Sequence, residues 1–316
     1  MKRFRQTTLC ERAIITGAGV HSNAPVQMIL HPAETDHGVV FMRTGLADGE
    51  SRIVEANWSQ VSMTELCTVI GDQSSGAVAT IEHLMAALAG LGVDNVLVEI
   101  DGPEVPIMDG SSAHFVEAID EAGIVEQDAA RRMIRVLKPV RVDIGRGFAE
   151  LLPATGGFHL DVEIDFSAGV IGRQRTAIEL TPQTFRQDIS RARTFGFLRD
   201  VERLWKAGFA LGASLDNTVA LEDERVVNPE GLRYENEFVR HKLLDAIGDL
   251  SLAGAPLIAY YRSYCGGHKL NHAVLEKLFA DPSAYEIVTS EHARRPVRGH
   301  GQMARAAAAA FAPDTN

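Results

Sequence analysis

The chain has 316 residues, of which 46% are hydrophobic and 23% charged, and its formal net charge at pH 7 is −11. This composition is typical of a globular protein long enough for two domains, and an acidic balance without a basic stripe argues against a nucleic-acid partner. No apolar run approaches the roughly 20 residues of a membrane span, no secretory signal follows the basic N-terminus, and the three cysteines share no disulfide or metal-binding spacing. We therefore expect a cytoplasmic protein.

The first part of the chain is predicted to be rich in β-strands. Strand candidates at residues 13–16, 26–31 and Val39–Arg43 alternate with Gly-, Asn- and Pro-containing turns. A further strand is predicted over Val96–Ile100 and a helix over Ala113–Ala122.

Between these strands, residues 80–92 are predicted to form an apolar helix with Thr80 as its N-cap and Gly92 as its stop. His83 lies in the first turn, where the partial positive charge of the helix N-terminus disfavours an imidazolium. A neutral imidazole is the form that binds metal. Glu82 adjoins His83 but points elsewhere around the helix, so it is a candidate base rather than a ligand.

The second part of the chain repeats the order of strands followed by helices. We place the boundary in the polar segment 128–132, which lacks a strand pattern, and predict domains at 1–128 and 129–295. The tail 296–316 is rich in Ala and Arg, and we expect it to be mobile. Strands are predicted at residues 134–136, Val140–Ile144, 148–152 and 159–166, and helices at 182–189 and 199–207.

The most informative segment is a predicted helix over residues 237–254, which follows Asn236 as a candidate N-cap. It is apolar except for His241, Asp245 and Asp249, which are spaced four residues apart and therefore share one face. Two carboxylates and an imidazole inside a protein cost free energy unless they are paired or bound to metal. His241 and Asp245 can reach one cation, and His83 is the candidate third ligand.

The two histidine helices also align with each other. His83 is followed seven residues later by Gly90, and His241 by Gly248, and each helix leads into a strand-like run. This weak internal repeat predicts two similar halves that meet across one site.

At this point several motifs, in order along the chain, resemble those of the UDP-3-O-acyl-N-acetylglucosamine deacetylases, the zinc amidases of lipid A biosynthesis. The resemblance covers roughly residues 3–290 in colinear order. The motifs are Ile-Glu-His-Leu at 81–84, Ala-Ala-Leu-Ala-Gly-Leu-Gly at 86–92, Ile-Met-Asp-Gly-Ser at 107–111, Ser-Arg-Ala-Arg-Thr-Phe-Gly-Phe at 190–197, Arg-His-Lys-Leu-Leu-Asp-Ala-Ile-Gly-Asp-Leu at 240–250 and Gly-His-Lys-Leu-Asn at 267–271.

The resemblance implies an α+β fold of two similar domains, each a β-sheet with paired helices, with the helices sandwiched between the two sheets. It also implies a Zn²⁺ ion held by His83, His241 and Asp245. Three protein ligands with one open position are the catalytic pattern, and the same set also suits Fe²⁺.

By the same resemblance, the chain would remove the N-acetyl group of UDP-3-O-(3-hydroxyacyl)-N-acetylglucosamine as acetate. Glu82 matches the family's general base, and His268 its cationic partner at the oxyanion and leaving amine. Thr194 matches a hydroxyl that donates to the tetrahedral intermediate. Asp249 is placed to orient His268, and Lys242 to meet a phosphate of the UDP moiety.

The acyl chain of such a substrate needs an apolar passage, which in the family includes an insert of the second domain, here near 197–220. Asp165 and Phe166 occupy the place where the family holds uridine. An acylated UDP-sugar is the expected partner, and we expect a monomer with transient contact at the inner membrane surface. The residues that map to the passage are Phe195, Phe197, Leu198, Val201, Leu204, Leu211, Leu215 and Val20.

Two departures and two alternatives accompany this reading. Asn23 stands where the family usually has Gly, and Ala213 replaces a usual Gly. A zinc-dependent binding protein without catalysis would be favoured by loss of Glu82 or His268, but both are present. A structural protein with buried His–Asp pairs would hold no metal, so metal analysis separates it from the enzyme.

Overall fold

The structure is a computed structural model that describes residues 4–289. The strands are β1 Arg5–Leu9, β2 Ala13–Ala18, β3 Pro25–Pro32, β4 Val39–Arg43, β5 Arg52–Glu55, β6 Val61–Met63, β7 Val69–Ile70, β8 Val96–Ile100, β9 Ile124–Ala130, β10 Arg132–Val136, β11 Val140–Ile144, β12 Gly147–Pro153, β13 Phe158–Asp165, β14 Arg173–Glu179, β15 Phe195–Phe197, β16 Val219–Leu221, β17 Leu257–Tyr264 and β18 Tyr285–Thr289. The helices are α1 Glu82–Leu91, α2 Ala113–Ala122, α3 Pro182–Thr184, α4 Leu198–Lys206, α5 Glu237–Ser251 and α6 His268–Phe279.

The two halves of the chain repeat one sheet topology. In the first half the strand order is β2-β3-β8-β4-β5, with β8 antiparallel to β3 and parallel to β4. The second half repeats it as β11-β12-β17-β13-β14, with β17 antiparallel to β12 and parallel to β13. The pair β1-β9 in the first half likewise matches β10-β18 in the second. The predicted α+β class with two similar halves is confirmed.

Helices α1, α2, α5 and α6 form the middle of the molecule. Helix α2 packs on β2, helices α5 and α6 pack on the second sheet, and α1 contacts both α2 and α5. The approach of α1 to α5 is so close at Gly248 that an added Cβ would lie 2.0 Å from the carbonyl oxygen of Glu82. A glycine is therefore required where the two halves touch.

The ends of the two central helices differ in part from the predictions. Gly92 ends α1 in the left-handed conformation, as predicted, with φ 75°. Thr80 is not the N-cap of α1, because its φ is 55° and its hydroxyl donates to Glu104 at 2.8 Å. Helix α5 does begin after Asn236, but that side chain accepts a bond from Arg240 instead of capping the backbone.

One further prediction of secondary structure was wrong and another was confirmed. Residues 128–132, expected to lack strand structure, are largely in strand because β9 ends at Ala130 and β10 begins at Arg132. Their pairing partners β1 and β18 lie far away in sequence, so local composition could not indicate them. The helix predicted at residues 182–189 is confirmed, with α3 continuing as a π-helical turn over Phe185–Ile189.

The predicted tail 296–316 lies outside the described residues, as does the end of the predicted second domain, so both domain limits stay predictions. Between residues 4 and 289, no helix combines the length and the apolar character that crossing a bilayer requires.

The outer faces of the two sheets carry different side chains. A row across four strands of the second sheet alternates in charge, because each Arg faces an acidic residue on the next strand. The row consists of Arg141, Glu150, Arg262 and Asp161, and Arg175 on β14 reaches Asp161 diagonally at 2.6 Å. A row across the first sheet is apolar except at its centre and consists of Ile14, Ile29, Glu99, Met42 and Ile53.

Candidate metal centre and active site

The three predicted metal ligands meet at the contact between α1 and α5. One ligand atom from each of His83, His241 and Asp245 lies within 4.8 Å of the other two. The Oδ1 atom of Asp245 is 3.3 Å from Nε2 of His241 and 3.7 Å from Nε2 of His83. All three residues are at most 4% exposed. One half of the molecule therefore contributes one imidazole, and the other half contributes an imidazole and a carboxylate.

The hydrogen bonds around this cluster leave ligand atoms free for a cation. Nδ1 of His241 donates to the carbonyl oxygen of Ala192 at 3.1 Å, which leaves the lone pair of Nε2 facing the cluster. Oδ2 of Asp245 accepts from Lys242 at 2.8 Å, whereas Oδ1 is buried without a hydrogen-bond partner among the described residues. A buried carboxylate oxygen that faces two imidazole nitrogens fits a divalent transition metal ion.

The electrostatics of the cluster also favour the metal-binding protonation states. Burial lowers the pKa of His241 to about 3, so the imidazole is neutral at physiological pH. Burial alone would raise the pKa of Asp245, but His241 and Lys242 outweigh it and hold the pKa well below its usual value. The site is thus preset as neutral imidazole and ionised carboxylate.

A second pair of ionisable groups, Glu82 and His268, lies beside the cluster. Oε1 of Glu82 is 3.7 Å from Nε2 of His268, and both side chains are largely buried. Burial raises the pKa of Glu82. Burial alone would lower the pKa of His268, but Asp249 and Glu82 outweigh it and raise the pKa to about 10. The pair therefore combines a carboxyl group of raised pKa with an imidazole that is cationic at neutral pH.

Asp249 anchors this imidazole through a network of three donors. Its Oδ2 accepts from Nδ1 of His268 and from Nδ2 of Asn271, both at 2.8 Å. Its Oδ1 accepts from the hydroxyl of Thr68 at 2.6 Å. The backbone N–H of Thr68 also donates to Oε2 of Glu82 at 3.1 Å. Sequence reasoning assigned nothing to Thr68 or Asn271, because a neutral polar residue carries no spacing signal of its own.

The segment that carries Thr194 runs along the same cluster. The N–H of Thr194 donates to the carbonyl of Gly110 at 2.8 Å, and the ring of Phe195 lies 6.2 Å from the ring of His241. Nζ of Lys242 lies 5.6 Å from the centre of the Phe195 ring. A buried ion pair between Arg193 and Glu237 holds the segment against the start of α5.

The aromatic residues predicted to bind substrate adjoin this segment. The Phe166 ring lies 5.9 Å from the Phe195 ring and 6.4 Å from the Phe197 ring. Asp165 accepts from the hydroxyl of Tyr264 at 2.7 Å. Phe166, Phe195 and Phe197 therefore form one aromatic group, which we call the Phe195 wall. The carboxylate of Asp165 is instead hydrogen-bonded to Tyr264.

The predicted insert follows Phe197 and carries several apolar side chains. Helix α4 contributes Leu198, Val201 and Leu204 and has no buried residue. Leu211 and Leu215 follow on an exposed segment. These apolar side chains follow one another along the chain on α4 and the segment after it.

This segment is tied to the first half through backbone bonds. The N–H of Gly212 donates to the carbonyl of Val20 at 3.0 Å. Asn23 has φ 52°, so the turn that normally needs Gly is kept by Asn. The buried carboxylate of Glu104 holds this turn by accepting from the backbone N–H groups of His21 and Ser22. Sequence reasoning assigned no role to His21 or Glu104, because only the fold brings Glu104 near this turn and near the hydroxyl of Thr80.

Comparison with known proteins identifies the family of the chain. A sequence model of the family described as LpxC, UDP-3-O-acyl N-acetylglycosamine deacetylase, matches residues 6–280. Proteins of Brucella ovis, Brucella canis and Brucella melitensis, each named UDP-3-O-acyl-N-acetylglucosamine deacetylase, are 50% identical over 284 residues, which cover 90% of this chain and 98% of each relative. The chain therefore belongs to the LpxC family of UDP-3-O-acyl-N-acetylglucosamine deacetylases.

Proposed function

We propose that the chain hydrolyses the N-acetyl group of UDP-3-O-(3-hydroxyacyl)-N-acetylglucosamine and releases acetate, as the zinc-dependent deacetylase of lipid A biosynthesis. The observation that carries the proposal is the buried cluster of His83, His241 and Asp245 directly beside the pair of Glu82 and His268. Family membership supplies the substrate, and the cluster supplies the reason for a metal-assisted reaction.

The residues of the chain divide the chemistry among them. A divalent cation bound by the three ligands would polarise the acetamide carbonyl and lower the pKa of a water molecule. Glu82 takes the proton of the attacking water, and its raised pKa suits a base that works near neutral pH. His268 gives a proton to the amine nitrogen that leaves, while Asp249 holds its Nδ1–H so that Nε2 stays directed at the reaction. The hydroxyl of Thr194 donates a hydrogen bond to the tetrahedral intermediate.

Substrate contacts follow from the surroundings of the cluster. The acyl chain lies along the Phe195 wall and the apolar side chains of the insert near 197–220. Uridine binds at Asp165 and Phe166. Lys242 already donates to Asp245, but an ammonium group has three N–H donors, so it can bind a phosphate at the same time. The protein acts as a monomer of two domains in the cytoplasm, with transient contact at the membrane surface.

The direct test is acetate release from the acylated UDP-sugar by purified protein of known metal content. We expect about one Zn²⁺ per chain, loss of acetate release with a chelator, and recovery when Zn²⁺ is returned. Reconstitution with Fe²⁺ under anaerobic conditions compares the two metals. Zinc-loaded protein that binds the substrate without releasing acetate would instead identify a binding protein.

Two variants separate metal binding from substrate binding. Asp245→Ala removes a ligand and should lose zinc and activity together, whereas Lys242→Ala should keep zinc and mainly raise KM. An unchanged zinc content in Asp245→Ala would remove this carboxylate from the ligand set.

A further inference from the structure

Thr68 has an unusual position between the two carboxylates of the acid–base system. It lies just before β7 in the first half of the chain and is 2% exposed. Its backbone N–H donates to Oε2 of Glu82, also in the first half, and its hydroxyl donates to Oδ1 of Asp249 in the second half. One residue therefore bridges the candidate base and the carboxylate that holds the candidate acid.

The bond from the Thr68 hydroxyl completes the set of donors around Asp249. His268 and Asn271 both donate to Oδ2, whereas the Thr68 hydroxyl donates to Oδ1. A hydrogen bond to an ionised carboxylate is about twice as strong as one between neutral groups. With both oxygens held, the plane of the carboxylate is fixed, and the imidazole bonded to it is fixed as well.

The backbone bond has the matching effect on Glu82. Because Oε2 accepts from the N–H of Thr68, Oε1 is left to face Nε2 of His268 at 3.7 Å. The imidazole thus lies between two carboxylates whose orientations both depend on Thr68. Positional errors of about 1 Å at such groups can cost on the order of a hundredfold in rate.

From this geometry we propose that Thr68 is a positioning residue for the deacetylation reaction, acting through Asp249 to orient His268. The inference rests on the proposed function, because it takes Glu82 and His268 as the base and acid of that reaction. Thr68 does not itself contact the reacting atoms, and its hydroxyl neither gains nor loses a proton.

The test compares Thr68→Val with Thr68→Ser in the zinc-loaded enzyme. Val has nearly the same shape but no hydroxyl, and it keeps the backbone N–H that holds Glu82. We expect kcat to fall about tenfold in Thr68→Val, with KM within about twofold of the wild type and zinc content unchanged, because the lost interaction acts on the transition state. Thr68→Ser, which restores the donor, should stay within about threefold of the wild-type kcat.

Thr8→Val is the matched control. Thr8 is also buried, and its hydroxyl donates to the carbonyl of Asn95 at 2.8 Å, away from the ligand cluster. This variant should lower the melting temperature and leave kcat unchanged, because it removes two hydrogen bonds, to Asn95 and from Ala33, that do not touch the acid–base system. A fall in kcat of the same size in Thr8→Val would show that general destabilisation explains the Thr68 result.

A double-mutant cycle tests whether Thr68 acts through Asp249. In an Asp249→Ala background the acceptor is gone, so Thr68→Val should reduce kcat little further. Additive effects, or a wild-type kcat in Thr68→Val alone, would overturn the proposal.

A spectroscopic measurement separates this inference from the proposed function. The Nδ1 proton of His268 should exchange with solvent faster in Thr68→Val than in the wild type or in Thr8→Val, because its carboxylate acceptor is less firmly held. If the wild type releases no acetate, the proposed function fails, and this measurement still decides whether Thr68 orients the pair. Unchanged exchange in Thr68→Val would overturn the positioning role.

Discussion

Helices α1 and α5 occupy equivalent places in the two halves, yet only α5 carries the ligand carboxylate Asp245 and the carboxylate of Asp249 that holds His268. Each helix has a histidine followed seven residues later by glycine. Four and eight residues after that histidine, α5 has Asp245 and Asp249, whereas α1 has Ala87 and Leu91, which are fully buried. The repeated backbone therefore supplies two similar positions for an imidazole, and the chemistry around them is specialised in one half.

At the position just before each histidine, it is α1 and not α5 that carries a carboxylate. Glu82 in α1 is buried and faces His268, whereas Arg240 in α5 points away from the site and donates to Asn236 and Asp188. The candidate base thus comes from one half and the candidate acid from the other. A repeated fold can build a single site because each half retains a different part of it.

The largest effect is expected from replacing the glycine at the contact of the two helices. In Gly248→Ala, the new Cβ would lie 2.0 Å from the carbonyl oxygen of Glu82, which is backbone and cannot turn aside. The two helices must separate, so Glu82 and His83 move relative to Asp245. We expect activity to fall by a factor of about 100 or more, together with a loss of roughly 1–3 kcal/mol in the free energy of unfolding.

Gly90→Ala is the matched variant in the other half. There the added Cβ would meet the ring of Phe185 at 2.3 Å, a side chain rather than the partner helix. It should lose a similar free energy of unfolding, about 1–3 kcal/mol, while zinc-loaded protein keeps most of its kcat. Chemical unfolding and steady-state kinetics measure both quantities. Equal losses of kcat in the two variants would show that the contact at Gly248 has no special relation to the site.

A smaller effect is expected when the carboxylate specific to the second half is neutralised. His268 is protonated below its pKa of about 10, so a reaction that needs the imidazolium is lost as pH rises through that value. Asp249→Asn removes the charge that raises the pKa of His268 most. The alkaline limb of the pH–rate profile should move to lower pH, with a lower maximum rate. An alkaline limb at the same pH in both proteins would exclude His268 as the group that titrates there.

The smallest effect concerns the outer faces of the two sheets. Arg262 bonds to Glu150 and adjoins Asp161 in the charged row of the second sheet, and its side chain is 45% exposed. Arg262→Met should cost on the order of 1 kcal/mol in the free energy of unfolding, and high salt should reduce the difference from the wild type.

Ile53→Thr, in the apolar row of the first sheet, serves as the control. It should show no comparable salt dependence, because no charge is altered. Urea unfolding at low and high sodium chloride measures both variants. The same salt dependence in the two would indicate that the alternating row contributes nothing specific.

The parts of the fold that the sequence predicted well are those with clear periodicity. The strands Val39–Arg43, Val96–Ile100 and Val140–Ile144 and the helix Ala113–Ala122 have the predicted bounds because their apolar pattern is local. Strand β14 was missed because its residues are mostly polar and it is stabilised by pairing with β13. Thr80 failed as a cap because its hydroxyl serves Glu104, a partner that only the fold brings near.

The same division applies to the site. His241, Asp245 and Asp249 could be found because four-residue spacing on an apolar helix is visible in the sequence. His83 and Glu82 were found as neighbours in the first turn of a second apolar helix, whereas the roles of His268 and Thr194 came from the family resemblance. Thr68 was invisible because its importance arises from two bonds to residues that are 14 and 181 positions away.

The placement of ligand atoms on both halves has a consequence for the survival of the protein. An ion that binds the assembled site but not the separated helices adds its binding free energy to the docking of the halves. Under metal starvation that contribution disappears, and the apolar surfaces of α1 and α5 become easier to expose to proteases. We expect the turnover of this enzyme in the cell to rise when zinc becomes scarce.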